Sequence, residues 1–490
     1  MFTQRSLRIL IGLLRRDESA QSDDDEPVRR KWESEANNAP SVELCSRQIC
    51  EISEELRLLE DRRLHLLDQQ RVVRQTQNSM APVNRLPVEL LGEIILLSMI
   101  VFPIPDSYTR RRKVWTRSAP HVCHIWRAIV LSLPAAWSQI YVSQKTLPEK
   151  TTNFISRAGN RPLDVHLDFP YDPEDEDVPL AGSEVVVSAW AQISPHRIHS
   201  IYMYGDIDVP IMFPLKGNTS ELRTLVLSGY FTGIPDDATS AFTIFTSCIP
   251  HDLHSLEVRA MENQIFSINL SSTAPKDLPH LKKLCFADNA QLVHATQVLT
   301  TCQSLEILEW DHADSFQQTP ISLPRLKYLD FYGTNMLRLF ELPQLHTLSI
   351  SNLEHDDFEH LARFKSLRNL CLDSLAHIYD GTAFVASIPH IVHLKIQEVN
   401  PKPILRALSL PTPGATLGMP CPNLRVLRIE CSRWGVDFGL LKTLMDQRGS
   451  IPSSPLELWV VSSNRPKPDR LEEWMENIHW GVYPSSEPYM

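Results

Sequence analysis

This chain offers few of the residue combinations that catalysis or metal binding requires. It contains no Gly-x-x-x-x-Gly-Lys phosphate loop, no Gly-x-Ser-x-Gly nucleophile turn and no His-Glu-x-x-His zinc helix. The nearest approach to an acid–base group is His312 between Asp311 and Asp314, which we interpret as a loop that follows a strand. Two histidines and a cysteine at 121–124 lack a fourth ligand. We therefore predict no catalytic residue, no metal site and no cofactor.

Composition narrows the classes of partner. The 490 residues carry a net charge of -11, which disfavours a nucleic-acid backbone as the partner. Nine cysteines occur singly without a Cys-x-x-Cys pair, which is typical of reduced thiols inside a cell. The 36 prolines and only 16 glycines favour many short elements separated by proline turns.

The first residues do not resemble an ordered domain or a membrane anchor. Residues 1–40 carry an acidic run and a basic run with few apolar residues, and we predict a disordered leader. The apolar stretch 9–14 is too short to span a membrane. Arginines around it also fit a mitochondrial presequence, but we favour the cytoplasm, the nucleus or both.

Residues 42–78 lack proline and glycine, and the spacing of their apolar residues predicts one long helix. The apolar positions alternate in steps of three and four with a gap at Arg63, and they are Ile49, Ile52, Leu56, Leu59 and Leu66. We call these five residues the apolar seam. Two interpretations remain: the seam forms a coiled coil with a second copy, or it docks against the neighbouring domain, which we favour.

Residues 82–142 contain three short apolar motifs in a fixed order. The first is Leu86-Pro87-x-Glu89-Leu90-Leu91-x-Glu93-Ile94, where proline suits the first turn of a helix. The second is Val122-Cys123-x-x-Trp126-Arg127-x-Ile129, and the third is Leu133-Pro134-x-x-Trp137-x-x-Ile140. Together these motifs resemble an F-box of the type common in large fungal families.

The F-box resemblance implies a small all-α domain that binds a Skp-type adaptor and, through it, a cullin-RING ubiquitin ligase. The adaptor-binding residues that it implies are Leu86, Pro87, Glu89, Leu90, Ile94, Val122, Cys123, Trp126 and Trp137. The alternative is that some of these side chains only pack a helical core, and for Trp126 we weigh the two equally.

A second pattern, apolar-x-x-apolar-x-apolar, recurs from about residue 163 onward and is typical of leucine-rich repeats. Its ten occurrences begin at Ile198, Leu222, Leu253, Leu281, Leu305, Leu326, Leu345, Leu367, Ile391 and Leu424. A Pro often precedes the pattern, as at a strand entry. The pattern predicts a degenerate repeat array over residues 150–480 with a terminal cap.

Alternation along each strand predicts which side chains point away from the core, onto the concave face of the array. The candidate substrate-binding residues are Glu257, Glu309, Asp311, Tyr328, Asp330, Tyr332, Asp373, His393, Lys395 and Arg428. This face would be acidic and aromatic in the middle and basic at its end, which favours a protein substrate with a basic segment.

The predicted fold class is α plus α/β: an N-terminal helix and a small all-α F-box-like domain, followed by a degenerate leucine-rich-repeat solenoid. The predicted function is substrate recognition within an SCF-type ubiquitin ligase, without catalysis by this chain and without a nucleic-acid or membrane partner. The alternatives are a leucine-rich-repeat scaffold unconnected to ubiquitination and an enzyme whose site the sequence conceals.

Overall fold

The structure is a computed structural model. It describes residues 42–99, 119–143, 146–169, 183–208, 221–232, 242–244, 250–268, 278–292, 294–311, 320–333, 337–351, 353–373, 378–397, 399–409, 420–430, 436–449, 456–461 and 478–481. The predicted leader at 1–40 lies outside these residues, as do His312 and Asp314. The chain divides between Leu86 and Pro87 into two compact units.

The described part of the first unit is one long helix and a turn. Helix α1 spans Val42–Met80 and contains neither proline nor glycine, and Pro82 begins a short 3-10 turn after it. Its apolar seam is exposed, from 55% at Leu66 to 63% at Ile49. Exposed ion pairs join residues one turn apart on its surface, such as Arg57 with Glu54 at 2.6 Å.

The second unit contains ten further helices among its described residues. They are α2 (Val88–Met99), α3 (Ala119–Val122), α4 (His124–Ser132), α5 (Pro148–Ala158), α6 (Ser183–Ala191), α7 (Ala295–Thr301), α8 (Phe358–Leu361), α9 (Gly381–Ser387), α10 (Lys402–Leu408) and α11 (Phe438–Gly449). No helix in the described ranges is long and apolar enough to cross a membrane.

The strands of the second unit are mostly short. They are β1 (Gln139–Ser143), β2 (Leu163–Asp168), β3 (Ile198–Asp208), β4 (Thr224–Thr232), β5 (Phe242–Thr243), β6 (Ser255–Ser267), β7 (Lys283–Leu292), β8 (Ile307–Trp310), β9 (Ile321–Ser322), β10 (Tyr328–Tyr332), β11 (Phe340–Glu341), β12 (Thr347–Ser351), β13 (Asn369–Leu372), β14 (His393–Gln397), β15 (Val426–Glu430), β16 (Glu457–Val461) and β17 (Ile478–Gly481).

Fifteen of these strands form one parallel sheet. Fourteen follow one another in chain order from β1 to β17, β5 pairs with β6 beside them, and β9 pairs with β11 in a separate two-stranded sheet. Among the described residues, short helices lie between several pairs of neighbouring strands, as α9 does between β13 and β14. Parallel pairing requires such crossovers because each strand must return to the same end of the sheet.

Alternation of side chains explains why these segments form strands. In β12, Leu348 and Ile350 are 0% and 1% exposed, while Thr347 before them and Ser349 between them are partly exposed. Leu348 pairs in register with Leu329 of β10 and with Leu370 of β13. Continuous rows of buried aliphatic side chains therefore cross the sheet and form its core.

Proline turns precede many of the strands, as the sequence predicts. The amide of Leu345 donates to the carbonyl of Leu342 at 3.3 Å across Pro343, and Leu281 donates in the same way to Leu278 at 3.2 Å. A proline inside such a turn leaves the ladder intact because it does not occupy a donor position of the strand.

The predicted fold class is wrong. The described residues form an α/β fold built on one large parallel sheet, and not a small all-α domain followed by a leucine-rich-repeat solenoid. The end of the F-box-like segment, Gln139–Ser143, is strand β1 and pairs with β2. The three apolar motifs did not predict this sheet, because apolar spacing specifies only which side chains are buried, whereas hydrogen bonds between strands decide the fold.

Candidate protein-binding surfaces

Helix α2 carries apolar side chains on two faces. Leu91 and Ile95 are 1% and 0% exposed and belong to the core of the second unit. Leu90, Ile94 and Leu97 are instead 54%, 43% and 65% exposed. Spacings of four and three residues place these three side chains side by side, and we call them the α2 patch. An exposed apolar cluster of this kind is typical of a protein-binding surface.

The buried face of α2 is held against helix α4. A β-carbon added at Gly92 would lie 3.4 Å from the Leu133 side chain and 3.9 Å from that of Ile129, which are ordinary van der Waals distances, so this position of α2 faces these two side chains. Ile129 is 4% exposed and Leu133 packs partly against the same core. The α2 patch therefore sits on a helix whose orientation is fixed by its opposite face.

The other predicted adaptor residues are distributed unevenly. Leu86 is 37% exposed and ends the first unit. Pro87 and Glu89 are exposed at the start of α2, and Val122 is 53% exposed at the end of α3. Cys123, which precedes α4, and Trp126, which lies in α4, are only partly exposed. Trp126 packs against the core.

Trp137 contributes to the core and not to the surface. It is 4% exposed, and its indole Nε1 donates to the carbonyl of Val130 at 2.8 Å. Phe154 meets the ring edge-on at 5.0 Å, and the guanidinium of Arg157 lies 4.5 Å from the ring centroid. A side chain packed in this way supports neighbouring helices and offers nothing for a partner to contact.

The outward row of the sheet is the second candidate surface. Paired positions run from Glu257 through Cys285, Glu309, Asp330, Ser349, Cys371 and Lys395 to Arg428. The flanking rows contribute Tyr328, Tyr332 and His393, of which Tyr332 is 40% exposed. Asp311 and Asp373, next to strand ends, are partly exposed. The structure thus brings the predicted substrate-binding residues onto one face.

Two cations that the sequence prediction omitted neutralise part of this face. Lys283 Nζ lies 2.9 Å from Glu257 and 3.4 Å from Glu309, and Arg259 Nη2 lies 2.6 Å from Glu309. Burial pushes the pKa of Glu309 upward, but Lys283 and Arg259 outweigh it and hold that pKa below its usual value. The signal was present in the sequence, because alternation places Lys283 and Arg259 on the same face as Glu257.

Negative charge is concentrated at Asp330. The pKa of this carboxyl is raised to about 6, mainly by burial and in smaller part by the charges of Glu309 and Asp311, while a hydrogen bond with Ser349 acts in the opposite direction. The hydroxyl of Tyr328 donates to Asp330 Oδ2 at 3.3 Å and only partly offsets these effects. A cationic group brought beside Asp330 by a partner would relieve this cost, because an adjacent positive charge favours the ionised carboxylate.

The predicted basic end of the face is an internal ion-pair cluster. Lys395 Nζ lies 2.8 Å from Glu430 Oε2, and Arg428 Nε lies 2.5 Å from Glu430 Oε1 without forming a hydrogen bond. Glu430 is 3% exposed. Sequence reasoning missed Glu430, although alternation from Arg428 places it on the same face. Lys395 and Arg428 are therefore already paired with a buried carboxylate of the same chain.

Aromatic side chains at the opposite end of the sheet were also missed. The His166 and Tyr202 rings stack at 4.3 Å with 5° between their planes. The hydroxyl of Tyr141 donates to Asp168. Tyr141, His166 and Tyr202 are paired in one outward row across β1, β2 and β3, and Asp168 lies two residues after His166 on the same face. The face therefore changes from aromatic to mixed charge and then to a carboxylate-rich centre.

No protein-family model matches this chain, and no curated protein is detectably similar to it. The resemblance of residues 86–140 to an F-box accordingly rests on the motif residues alone.

Proposed function

We propose that this chain is a non-catalytic recognition subunit of an SCF-type ubiquitin ligase. The α2 patch would bind a Skp-type adaptor, and the outward face of the sheet would bind a protein substrate. The observation that carries this proposal is the exposure of Leu90 and Ile94 on a helix whose other face is buried.

Two independent features converge on the α2 patch. The F-box resemblance implies Leu90 and Ile94 as adaptor contacts, and these side chains are exposed while Leu91 and Ile95 beside them are buried. An amphipathic helix that is already folded offers such a surface without an ordering cost on binding. Because the fold is not a separate all-α domain, the adaptor would dock on the end of the sheet unit that carries β1.

The substrate that best fits the outward face carries a basic segment. Asp330 lies in register beside Glu309, and its pKa is raised mainly by burial and further by the charges of Glu309 and Asp311. A lysine or arginine of the substrate would supply the compensating charge. Tyr328 and Tyr332 flank the position and would add apolar contact area.

The α2 patch can be tested by co-expressing the full chain with a Skp-type adaptor. We expect the two proteins to co-purify as one complex by affinity capture and size-exclusion chromatography. The Leu90→Asp, Ile94→Asp double variant should abolish the complex while circular dichroism remains unchanged, because both side chains are exposed.

A control is Val187→Asp, which introduces one carboxylate at an exposed apolar residue of α6. This variant should bind the adaptor as well as the wild type does. No complex with the folded wild type would refute the ligase assignment and favour the alternative, a protein-interaction scaffold unconnected to ubiquitination. Equal loss in the control would refute a specific contact through α2.

A further inference from the structure

Two turns at one edge of the sheet bring three histidines and an aspartate together. The first turn, Pro250-His251-Asp252-Leu253, enters β6, and the amide of Leu253 closes it on the carbonyl of Pro250 at 3.1 Å. The second turn contains His280 and enters β7. Neither the predicted recognition surfaces nor the core uses these side chains.

Strand register explains why the two turns meet. Ser255 of β6 pairs with Lys283 of β7, so counting back along both strands places Asp252 beside His280. Neighbouring strands lie about 4.8 Å apart, which brings side chains of adjacent turns within reach of one ion.

The distances fit a tetrahedral metal ion. One ligand atom each from His251, Asp252 and His280 lie within 4.8 Å of one another. His251 Nδ1 is 3.3 Å from Asp252 Oδ1. Two ligand atoms that are each about 2.0–2.1 Å from a tetrahedral zinc ion are separated by about 3.3 Å.

We propose that His251, Asp252 and His280 form a transition-metal site with zinc as its preferred ion. Imidazole and carboxylate are ligands that zinc accepts, whereas calcium and magnesium prefer oxygen alone. Three protein ligands leave a fourth tetrahedral position for water or for a side chain of a bound protein. The ion would also join the entries of β6 and β7, which face solvent through exposed histidines.

His254 is placed to orient this site. Its ring stacks on that of His280 at 5.8 Å with 11° between the planes, and its Nδ1 contacts the carbonyl oxygen of Asp252. An Nδ1–H of His254 that donates to this carbonyl holds the backbone of Asp252, and the stacked His254 ring restrains the ring of His280. Such supporting contacts commonly change metal affinity about 10- to 100-fold. His254 is therefore a positioning residue.

The test is a titration of ZnCl2 into the full-length protein after treatment with EDTA and desalting. We expect isothermal titration calorimetry to show one zinc ion per chain, with at least 100-fold weaker binding in the His251→Ala, His280→Ala variant. Asp252→Asn, a milder change, should weaken binding at least tenfold. Cobalt(II) substitution should give the visible absorption of a tetrahedral site, and the double variant should lose it.

His346→Ala is a control for the loss of an exposed histidine that precedes a strand elsewhere in the sheet. His346 occupies the position before β12 that His254 occupies before β6, and its Nδ1 likewise contacts a backbone carbonyl, that of Gln344, at 2.5 Å. The control should bind zinc and cobalt as the wild type does. Equal zinc affinity in the wild type and the double variant, or no tetrahedral cobalt spectrum in the wild type, would overturn the proposal.

Discussion

Helix α1 and the parallel sheet use similar apolar residues with opposite results. Leu56 and Leu59 of α1 are 62% and 56% exposed, whereas Leu329 and Leu348 of the sheet are fully buried. The helix satisfies its own backbone through local hydrogen bonds and can exist without burying a side chain. A strand must find a neighbour for its backbone, and this pairing aligns the aliphatic rows that then exclude water.

This difference indicates where stability resides and where partners are expected. Burial of whole rows makes the sheet unit sensitive to the loss of a single side chain, because a cavity cannot be filled by solvent. The seam of α1 is exposed in the first unit, so its apolar side chains are available for either predicted interaction, a coiled coil with a second copy or docking against the neighbouring domain.

Truncation in the core should have the largest effect. Leu348→Ala removes a fully buried side chain between Leu329 and Leu370, and we expect it to lower the free energy of unfolding by about 3 kcal/mol. Urea denaturation at 25 °C would measure this loss. The matched change Leu59→Ala on α1 should cost less than about 0.5 kcal/mol. Equal losses would contradict the comparison.

Ion pairs should follow the same division by burial. The pairs Lys395–Glu430 and Lys327–Glu306 have similar distances of 2.8 and 2.7 Å, but only the first is buried. Lys395→Met should destabilise the protein by about 2 kcal/mol, because Glu430 keeps only Arg428 as a cation. Lys327→Met should change stability by less than about 0.5 kcal/mol. Thermal melts at two salt concentrations would compare the variants.

Asp330 should make the stability of the sheet unit depend on pH. Its pKa of about 6 in the folded protein exceeds the usual carboxyl value, so folding favours the protonated form. The contribution of Asp330 to stability should therefore fall as pH rises from about 4 through 6 and stay reduced above that range. Asp330→Asn should abolish this dependence and stabilise the protein at pH 7.5 by on the order of 1–2 kcal/mol, with little change at pH 4.

The exposed Asp356→Asn variant provides the control for this experiment. It should leave the difference in unfolding free energy between pH 4 and pH 7.5 the same as in the wild type. If Asp330→Asn behaved like this control, the carboxyl would not be the strained group that the proposed basic substrate segment relieves.

Charges placed on the α1 seam should have the smallest effect on stability. Leu56→Asp with Leu59→Asp should change the unfolding of the sheet unit by less than about 0.5 kcal/mol, since both side chains are already exposed. The mass measured by light scattering separates the two interpretations of the seam. A mass reduced by half indicates a coiled coil between two copies, whereas an unchanged mass indicates docking or no contact.

The sequence by itself determined those helices and strand faces that depend only on residues close together in the chain. The absence of proline and glycine predicted the helix that spans Val42–Met80, and alternation predicted that Leu348 and Ile350 are buried while Asp330 and Lys395 point outward. These features depend on neighbours within a few residues, so a short stretch of sequence contains their physical cause.

Only the tertiary structure decided which segments meet. Pairing of β1 with β2 placed the end of the F-box-like segment in the sheet and overturned the predicted all-α domain. Contacts between strands also joined Glu430 to Lys395 and brought His280 beside His251. The period of a strand specifies which face a side chain occupies, but the strand beside it is chosen by hydrogen bonds and packing between residues distant in the sequence.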